Sequence, residues 1–185
     1  QAANSIFLVI DTDGADPLSE VNLRAQHAYL SELLDDERVS GGIGVGLPSP
    51  GMTADEVVQY WNTPDEFLTA EQVAMRESLR GAFVGNDATM ISLQLVGAQT
   101  NVDSREVVED IRNERAAFLD DLTGENDRLL VAGFAAYNAD NLKAIADNLP
   151  RALAFILIAT TFLIFMQVKS VVIPIKAIAM NILSI

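Results

Sequence analysis

Residues Leu149 to Val168 read LPRALAFILIATTFLIFMQV, and this stretch divides the chain into two segments of different character. A helix of about 20 residues spans roughly 30 Å, which matches the hydrocarbon core of a bilayer. Between Ala152 and Met166 there is no ionisable side chain, and Arg151 lies at the edge, where it can reach the interface. The alternative, a core helix buried on every side, is hard to accommodate in a small domain. We therefore predict a transmembrane helix over residues 148–168.

Charge is segregated along the chain. Residues 1–147 carry all 26 acidic residues and nine of the 12 basic ones, a net charge of −17. Residues 148–185 carry three basic residues and no acid. A domain of about 150 residues can bury its own core. Its negative charge argues against a nucleic-acid partner, because phosphates would be repelled. The chain has no cysteine, which excludes disulfides and thiolate metal sites.

The segment after the apolar stretch predicts its orientation. Lys169, Ser170 and Lys176 belong to a short connection with no acidic residue. Short basic loops remain in the cytoplasm. We therefore predict a cytoplasmic turn over residues 169–176 and an extracytoplasmic domain over residues 1–147.

The last residues predict a second helix. Pro174 suits the first turn of a helix, where its missing N–H costs nothing. Residues 177–185 are apolar but too few to cross a bilayer, so we interpret them as the start of the next transmembrane helix. We accordingly expect the chain to be a piece of a longer, multi-pass protein of the cytoplasmic membrane.

The acidic domain alternates between strand and helix patterns. Short apolar or alternating runs predict four strands: Ser5–Ile10, Gly41–Val45, Thr89–Gly97 and Arg128–Phe134. Asp16 is the predicted N-cap of a first helix, whose inner face carries Leu23, His27, Leu30 and Leu34. Asp103 is the predicted N-cap of a second helix, which carries Val107, Ile111, Phe118 and Leu122 on one side and stops at Gly124. From about Asn138 we expect helix running into the membrane span.

Residues 51–87 are predicted to be a helical insertion. Three capping-box patterns begin at Thr53, Thr63 and Thr69, and Gly81 is the predicted end of the last helix. The order strand, helix, strand, insertion, strand, helix, strand is typical of a ferredoxin-like, split βαβ domain. The predicted fold class is therefore α+β, with one antiparallel sheet, two helices on one of its faces and a following transmembrane helix.

Two motifs resemble binding loops but fail on spacing. Residues 11–16 resemble a calcium loop, yet Ala15, Asp16 and Asn22 stand at positions that need a ligand, a glycine and a glutamate. We interpret them as a strand-to-helix turn. Residues 41–46 (GGIGVG) resemble a phosphate loop but lack its lysine-serine pair, so we assign these glycines to backbone packing or flexibility.

Isolated candidates receive structural interpretations. His27, the only histidine, is interpreted as a residue at the boundary of the core. Tyr60 and Trp61 are interpreted as packing residues of the insertion rather than as ligand contacts. The sequence shows no catalytic constellation, no metal site and no cofactor motif, so we do not predict an enzyme.

The C-terminal segment resembles a known family. SVVIPIKAIAMNILSI, residues 170–185, is similar to the segment of MMPL-family transporters of the RND superfamily in which one membrane helix ends and the next begins. The matching residues are Ser170, Val171, Val172, Pro174, Lys176, Ala177, Asn181, Leu183 and Ser184. Lys169 stands where the family more often has arginine. The preceding residues, from about 127, resemble the family's exit from its porter domain, the extracytoplasmic domain that shapes the substrate path.

The resemblance implies a second porter domain, the membrane helix that follows it and the start of the next. It implies proton-driven export of lipids or other hydrophobic molecules across the cytoplasmic membrane. The partners would be the lipid bilayer, a hydrophobic or lipid substrate, and the other porter domain and helices of the same transporter, with an oligomer left open. The family's proton-relay residues lie on helices outside this chain, and the substrate path within it is not identified.

Two alternatives remain. A SecDF-like auxiliary of protein export also joins a ferredoxin-like domain to a membrane helix. A membrane receptor with an extracytoplasmic sensor domain would instead continue into a cytoplasmic domain after one span. Pro174 and the renewed apolar run favour an immediate return helix over the receptor.

Overall fold

The structure, a computed structural model, describes residues 4–98 and 100–168, together with Lys176 and Met180. It is an α+β chain in which the elements follow the predicted order. The strands are β1 (Ser5–Asp11), β2 (Val39–Gly44), β3 (Ala88–Leu95) and β4 (Arg128–Gly133). The helices are α1 (Glu20–Leu34), α2 (Ala54–Asn62), α3 (Ala70–Phe83), α4 (Val102–Asp120) and α5 (Phe134–Val168), with a short 3₁₀ turn at Asp65–Phe67.

The four strands form one sheet in the order β2-β3-β1-β4, and every neighbouring pair is antiparallel. Phe7 of the central strand β1 lies opposite Ser92 of β3 and Ala132 of β4. Helix α1 connects β1 to β2, and β3 lies between these two strands in the sheet. Helix α4 connects β3 to β4, and β1 lies between those two. The predicted four-stranded antiparallel sheet is therefore confirmed.

One face of the sheet carries the core. Ile6, Leu8 and Ile10 of β1 are fully buried, whereas Phe7 between them is 37% exposed. This period of two follows from the pleat, which points successive side chains to opposite faces. The buried side chains form one cluster with apolar residues of α1 and α4, so both helices cover the same face. Each fully buried Leu or Ile contributes about 1.5–3 kcal/mol.

Helix α1 begins later than the sequence predicts. Its N-cap is Ser19, whose hydroxyl oxygen accepts from the backbone N–H of Asn22. The predicted N-cap Asp16 is wrong, because its carboxylate accepts at 2.9 Å from the backbone N–H of Leu18 and forms a turn before the helix. An Asx turn and a helix N-cap use the same side chain, and here the local turn prevails.

Helix α4 begins at Val102 after the N-cap Asn101, so the predicted N-cap Asp103 is also wrong. Asp103 lies in the first turn, where its charge favours the positive end of the helix. The helix ends at Asp120, before the predicted stop at Gly124. The inner face is confirmed, since the residues predicted to lie on it are all buried: Val107, Ile111 and Phe118 in the helix and Leu122 just after it. Helix α5 begins at Phe134, a few residues earlier than predicted.

The insertion is helical, and two of its three predicted capping boxes are present, at Thr53 and Thr69. The third is wrong, because Thr63 ends α2 and its hydroxyl donates to the carbonyl oxygen of Gln59. Gly81 lies inside α3 and does not end it. The insertion packs through a second apolar cluster, which contains Leu23, Val45, Val57 and Trp61.

The chain divides into two compact units, one that ends at Ala139 and one that begins at Asp140. In the first unit, the opening turns of α5 bury Ala135, Ala136 and Ala139 in the core. The second unit contains the apolar part of α5. Among the residues that the structure describes, α5 is the one helix long and apolar enough to cross a membrane, by length and composition alone. Its mean hydropathy is 2.0 over an 18-residue window of which no part is buried.

Candidate functional site

A groove of about 660 Å³ runs between α1 and α4. The two helices are antiparallel across it. At one end, Arg38, just after α1, donates to the carboxylate of Asp110 in the first half of α4. At the other end, the side-chain oxygen of Asn22, near the start of α1, accepts from the backbone N–H of Thr123, beyond the end of α4. This volume lies within the range of small-molecule sites in proteins.

The floor of the groove is apolar and partly aromatic. The rings of Tyr29 and Phe118 stack with their centroids 4.2 Å apart and their planes inclined by 13°. Three alanines also line the groove: Ala25 and Ala28 of α1 and Ala117 of α4. A methyl group fills little of the space between two helices, which is consistent with a groove at this place.

The walls of the groove are strongly acidic. Among the residues that the structure describes, six carboxylates line the groove and one guanidinium, that of Arg38. The carboxylates are Glu32, Asp35, Asp36, Asp110, Glu114 and Asp121. A cleft lined by one sign of charge raises the local concentration of ions of opposite charge. We call this feature, with its ring pair and its six carboxylates, the acidic groove.

The hydroxyl of Tyr29 is the exceptional group of the acidic groove. Tyr29 is only 8% exposed, and its hydroxyl is buried without a hydrogen-bond partner. Burial raises the pKa of this hydroxyl, and the carboxylates of Glu32 and Glu114 raise the pKa further because they oppose a second negative charge. The phenol therefore remains neutral and keeps both a donor and an acceptor position unused.

Arg38 closes one end of the acidic groove. Its guanidinium lies 2.6 Å from the carboxylate of Asp36, 2.8 Å from that of Asp110 and 4.0 Å from that of Glu106. The hydrogen bond from Arg38 lowers the pKa of Asp36 below its usual value. This cluster fixes the loop after α1 against α4 and leaves Glu32 and Glu114 at the middle of the groove.

Sequence reasoning did not identify the acidic groove, although it carries a signal. Neither α1 nor α4 has a basic residue in its last turn, and acidic residues follow there instead, such as Asp35 after α1 and Asp121 after α4. Negative charge at a helix C-terminus opposes the helix dipole and costs a few tenths of a kcal/mol or more. Because the two helices are antiparallel, Asp35 and Asp121 lie at opposite ends of the acidic groove.

The structure describes little of the predicted C-terminal turn. Lys169, Ser170 and Pro174 lie outside the described residues, as does most of the predicted second helix. Lys176 and Met180 are described, and both are helical and exposed. The cytoplasmic turn therefore stays a prediction.

The aspartate-rich turn after β1 is occupied by local contacts. Asp11 forms an ion pair with Arg128, and Asp13 accepts a hydrogen bond from the side chain of Asn126 at 2.9 Å. Within the part of the chain that the structure describes, no group of three or more His, Asp or Glu side chains could hold a metal ion. The turn joins β1 to α1, as predicted.

The glycine-rich stretch serves packing. A Cβ atom at Gly46 would lie 2.6 Å from the backbone carbon of Gln26 in α1, too close for any side chain. A Cβ atom at Gly42 would meet the side chain of Leu93 at 2.8 Å. The absence of side chains therefore allows α1 to approach this stretch closely.

His27, Tyr60 and Trp61, which the sequence indicates to be structural residues, make packing or hydrogen-bond contacts within the domain. A ring nitrogen of the half-buried His27, Nε2, lies 2.8 Å from the carbonyl oxygen of Met52 and donates to it, which joins α1 to the insertion. The indole N–H of Trp61 donates to the carbonyl oxygen of Val45 at 2.8 Å, and the ring is buried. Tyr60 packs edge-on against Trp61. These contacts anchor the insertion to the domain.

Neither a protein-family model nor a curated protein matches the chain.

Proposed function

We propose that this chain is the porter domain and following membrane helix of an MMPL-like exporter of the RND superfamily. In this proposal, the first unit stands outside the cytoplasm and shapes the path of a lipid or another hydrophobic substrate. The proton gradient drives export through the rest of the same transporter.

The sheet topology supports the porter assignment. The connections β1–α1–β2 and β3–α4–β4 interleave in one antiparallel sheet, with both helices on the same face. This arrangement supports the proposed ferredoxin-like, split βαβ class. The helical insertion between β2 and β3 is an addition to that plan. Because many functions share such a fold, the topology alone does not select the exporter.

The observation that carries the proposal is the exposed apolar surface of α5. Leu153, Phe155 and Phe162 are 51%, 72% and 59% exposed, and they belong to a stretch without ionisable residues. A contiguous apolar surface of this length requires lipid or protein around it. The hydroxyl of Thr161 donates to the carbonyl oxygen of Leu157 at 2.7 Å, so it needs no partner from lipid. A bilayer around this half of α5 would cover the apolar surface and would leave no polar group of Thr161 without a partner.

Charge supports the orientation. The residues before the span carry a net charge of −17, and Lys169 and Lys176 follow it. Positive residues in short loops favour the cytoplasmic side. Since Ala152 to Met166 holds no ionisable residue, the groups that carry protons in this proposal lie in other helices of the transporter.

A labelling experiment tests the orientation. The chain has no cysteine, so single cysteines report position without background. In intact cells, a membrane-impermeant maleimide should label Ser78→Cys, which lies on the exposed surface of α3. It should label Ser170→Cys only after the cells are permeabilised. Labelling of Ser170→Cys from outside, or of both positions from inside alone, would overturn the proposed orientation.

A transport experiment tests the activity. The whole transporter that contains this chain should be reconstituted in liposomes with a fluorescent lipid in one leaflet. We expect an imposed pH gradient to accelerate transfer of the lipid to the other leaflet, and a protonophore to abolish the effect. Liposomes without protein provide the control. Lipid transfer that ignores the gradient contradicts the exporter, and gradient-dependent release of a secreted protein would favour the SecDF-like alternative.

A further inference from the structure

We infer that the acidic groove binds a linear aliphatic cation that carries two or more ammonium groups joined by methylene chains. The methylene chain lies over the Tyr29–Phe118 ring pair, the ammonium groups pair with the carboxylates of the walls, and one ammonium N–H donates to the buried Tyr29 hydroxyl. This inference does not depend on the proposed function, because it concerns binding to the first unit alone.

The charge of the groove selects a cation. Of the described residues that line it, six are carboxylates and Arg38 alone is a cation, and Arg38 is already engaged by Asp36 and Asp110. The remaining carboxylates, such as those of Glu32 and Glu114, lie on opposite walls. An anion would be repelled, and a neutral molecule would leave these charges without compensation.

The spread of the charge selects an extended organic cation over a metal ion. A divalent metal ion needs several oxygen ligands at one point, about 2.0–2.6 Å away. Within the described residues, no cluster of three or more acidic or histidine side chains meets that need. The carboxylates instead follow the groove from Asp36 at one end to Asp121 at the other. Charges separated along a chain match this distribution.

The Tyr29 hydroxyl selects an ammonium group that has N–H donors. Tyr29 lines the groove and is only 8% exposed, yet its hydroxyl has no partner. A buried polar group without a hydrogen bond is unfavourable, and a bound donor removes that penalty. Glu32 and Glu114 line the groove with exposed side chains, whose carboxylates can rotate to pair with the ammonium that enters beside this hydroxyl.

The test compares probes of equal length by calorimetry. The chain of residues 1–185 is placed in nanodiscs of zwitterionic lipid and titrated with hexamethylenediamine. We expect a dissociation constant of about 1 mM or tighter. Hexamethonium has the same length and charge but no N–H, and it should bind at least about fivefold more weakly. Hexanediol, which is neutral, should not bind. Absence of hexamethylenediamine binding, or equal binding of the diamine and hexamethonium, would overturn the inference.

Matched variants separate the groove from general electrostatics. Glu32→Gln with Glu114→Gln should weaken diamine binding by about tenfold, because both central carboxylates are lost. Glu37→Gln with Glu109→Gln removes the same charge from two exposed residues, one just after α1 and one in α4, that do not line the groove. This pair should change binding by less than about twofold. An equal loss in the two pairs would show binding by net charge only and would overturn the site.

The hydroxyl has its own test. Tyr29→Phe should weaken hexamethylenediamine binding by about fivefold and leave hexamethonium binding unchanged, because only the diamine has N–H donors. A general distortion of the groove would weaken both probes alike. An unchanged affinity for the diamine would contradict the assigned hydrogen bond.

Discussion

Tyr29 of α1 stacks face to face on Phe118 of α4, with ring centroids 4.2 Å apart. Both residues belong to the main core cluster, and both line the acidic groove. The pair therefore has two roles. It holds the two helices together on the sheet, and it forms the floor on which a ligand would lie.

Removal of the Phe118 ring should destabilise the first unit strongly. Phe118→Ala leaves a cavity beneath the groove, and a buried Phe→Ala change costs about 3–5 kcal/mol. The free energy of unfolding of the chain in detergent, followed by near-ultraviolet circular dichroism in denaturant, measures this loss. Phe67→Ala is the matched control, because Phe67 is 73% exposed and its loss should cost less than about 0.5 kcal/mol. Similar losses in both variants would contradict the packing of the ring pair.

Tyr29→Phe should stabilise the unliganded chain. The substitution keeps the stacked ring and removes a buried hydroxyl that has no partner, which favours folding by about 1 kcal/mol. The same denaturant experiment measures this gain. Tyr137→Phe, at a position that is 63% exposed, should leave the stability unchanged. A loss of stability in Tyr29→Phe would mean that the hydroxyl is satisfied, for example by an ordered water molecule.

The strands could be predicted from the sequence because alternation and short apolar runs are local signals. Helix starts were harder. Asp16 and Ser19 are both good N-caps, and the choice depends on whether Asp16 first closes a turn with Leu18. Asn101 likewise precedes the predicted cap Asp103, and both residue types suit the position. Such choices between near neighbours depend on tertiary packing, which a single sequence does not contain.

The acidic groove could not be predicted because it exists only where two distant helices meet. Tyr29 and Phe118 are far apart in the sequence, and neither belongs to a motif. The predicted face of α1 included His27, which is half-buried, and omitted Tyr29, which is 8% exposed. The face that is buried depends on how α1 lies across the sheet. The acidic endings of both helices were the available signal.

Gly46→Ala should destabilise the first unit, because a Cβ atom would lie 2.6 Å from the backbone of α1 at Gln26. Backbone cannot move as a flexible side chain can, so we expect a cost of about 1–3 kcal/mol. Gly81→Ala is the control, since nothing lies within 4 Å of its Cβ position inside α3. That substitution should stabilise the helix by about 0.5–1 kcal/mol. Denaturant unfolding should therefore give opposite signs, and equal signs would contradict the close approach of α1.

The contact between Asp36 and Arg38 should make stability depend on acidic pH. The hydrogen bond from Arg38 lowers the pKa of Asp36 in the folded state below its unfolded value. Its contribution is therefore present above the unfolded pKa and is lost as the pH falls through the folded pKa. We expect Asp36→Asn to cost about 1 kcal/mol near neutral pH, since the pair is partly exposed. The difference from the wild type should shrink and then disappear as the pH falls through the lowered pKa of Asp36. Asp35→Asn, which removes one charge from the exposed neighbouring position, is the matched control. A difference for Asp36→Asn that persists at low pH would contradict the ion pair as its cause.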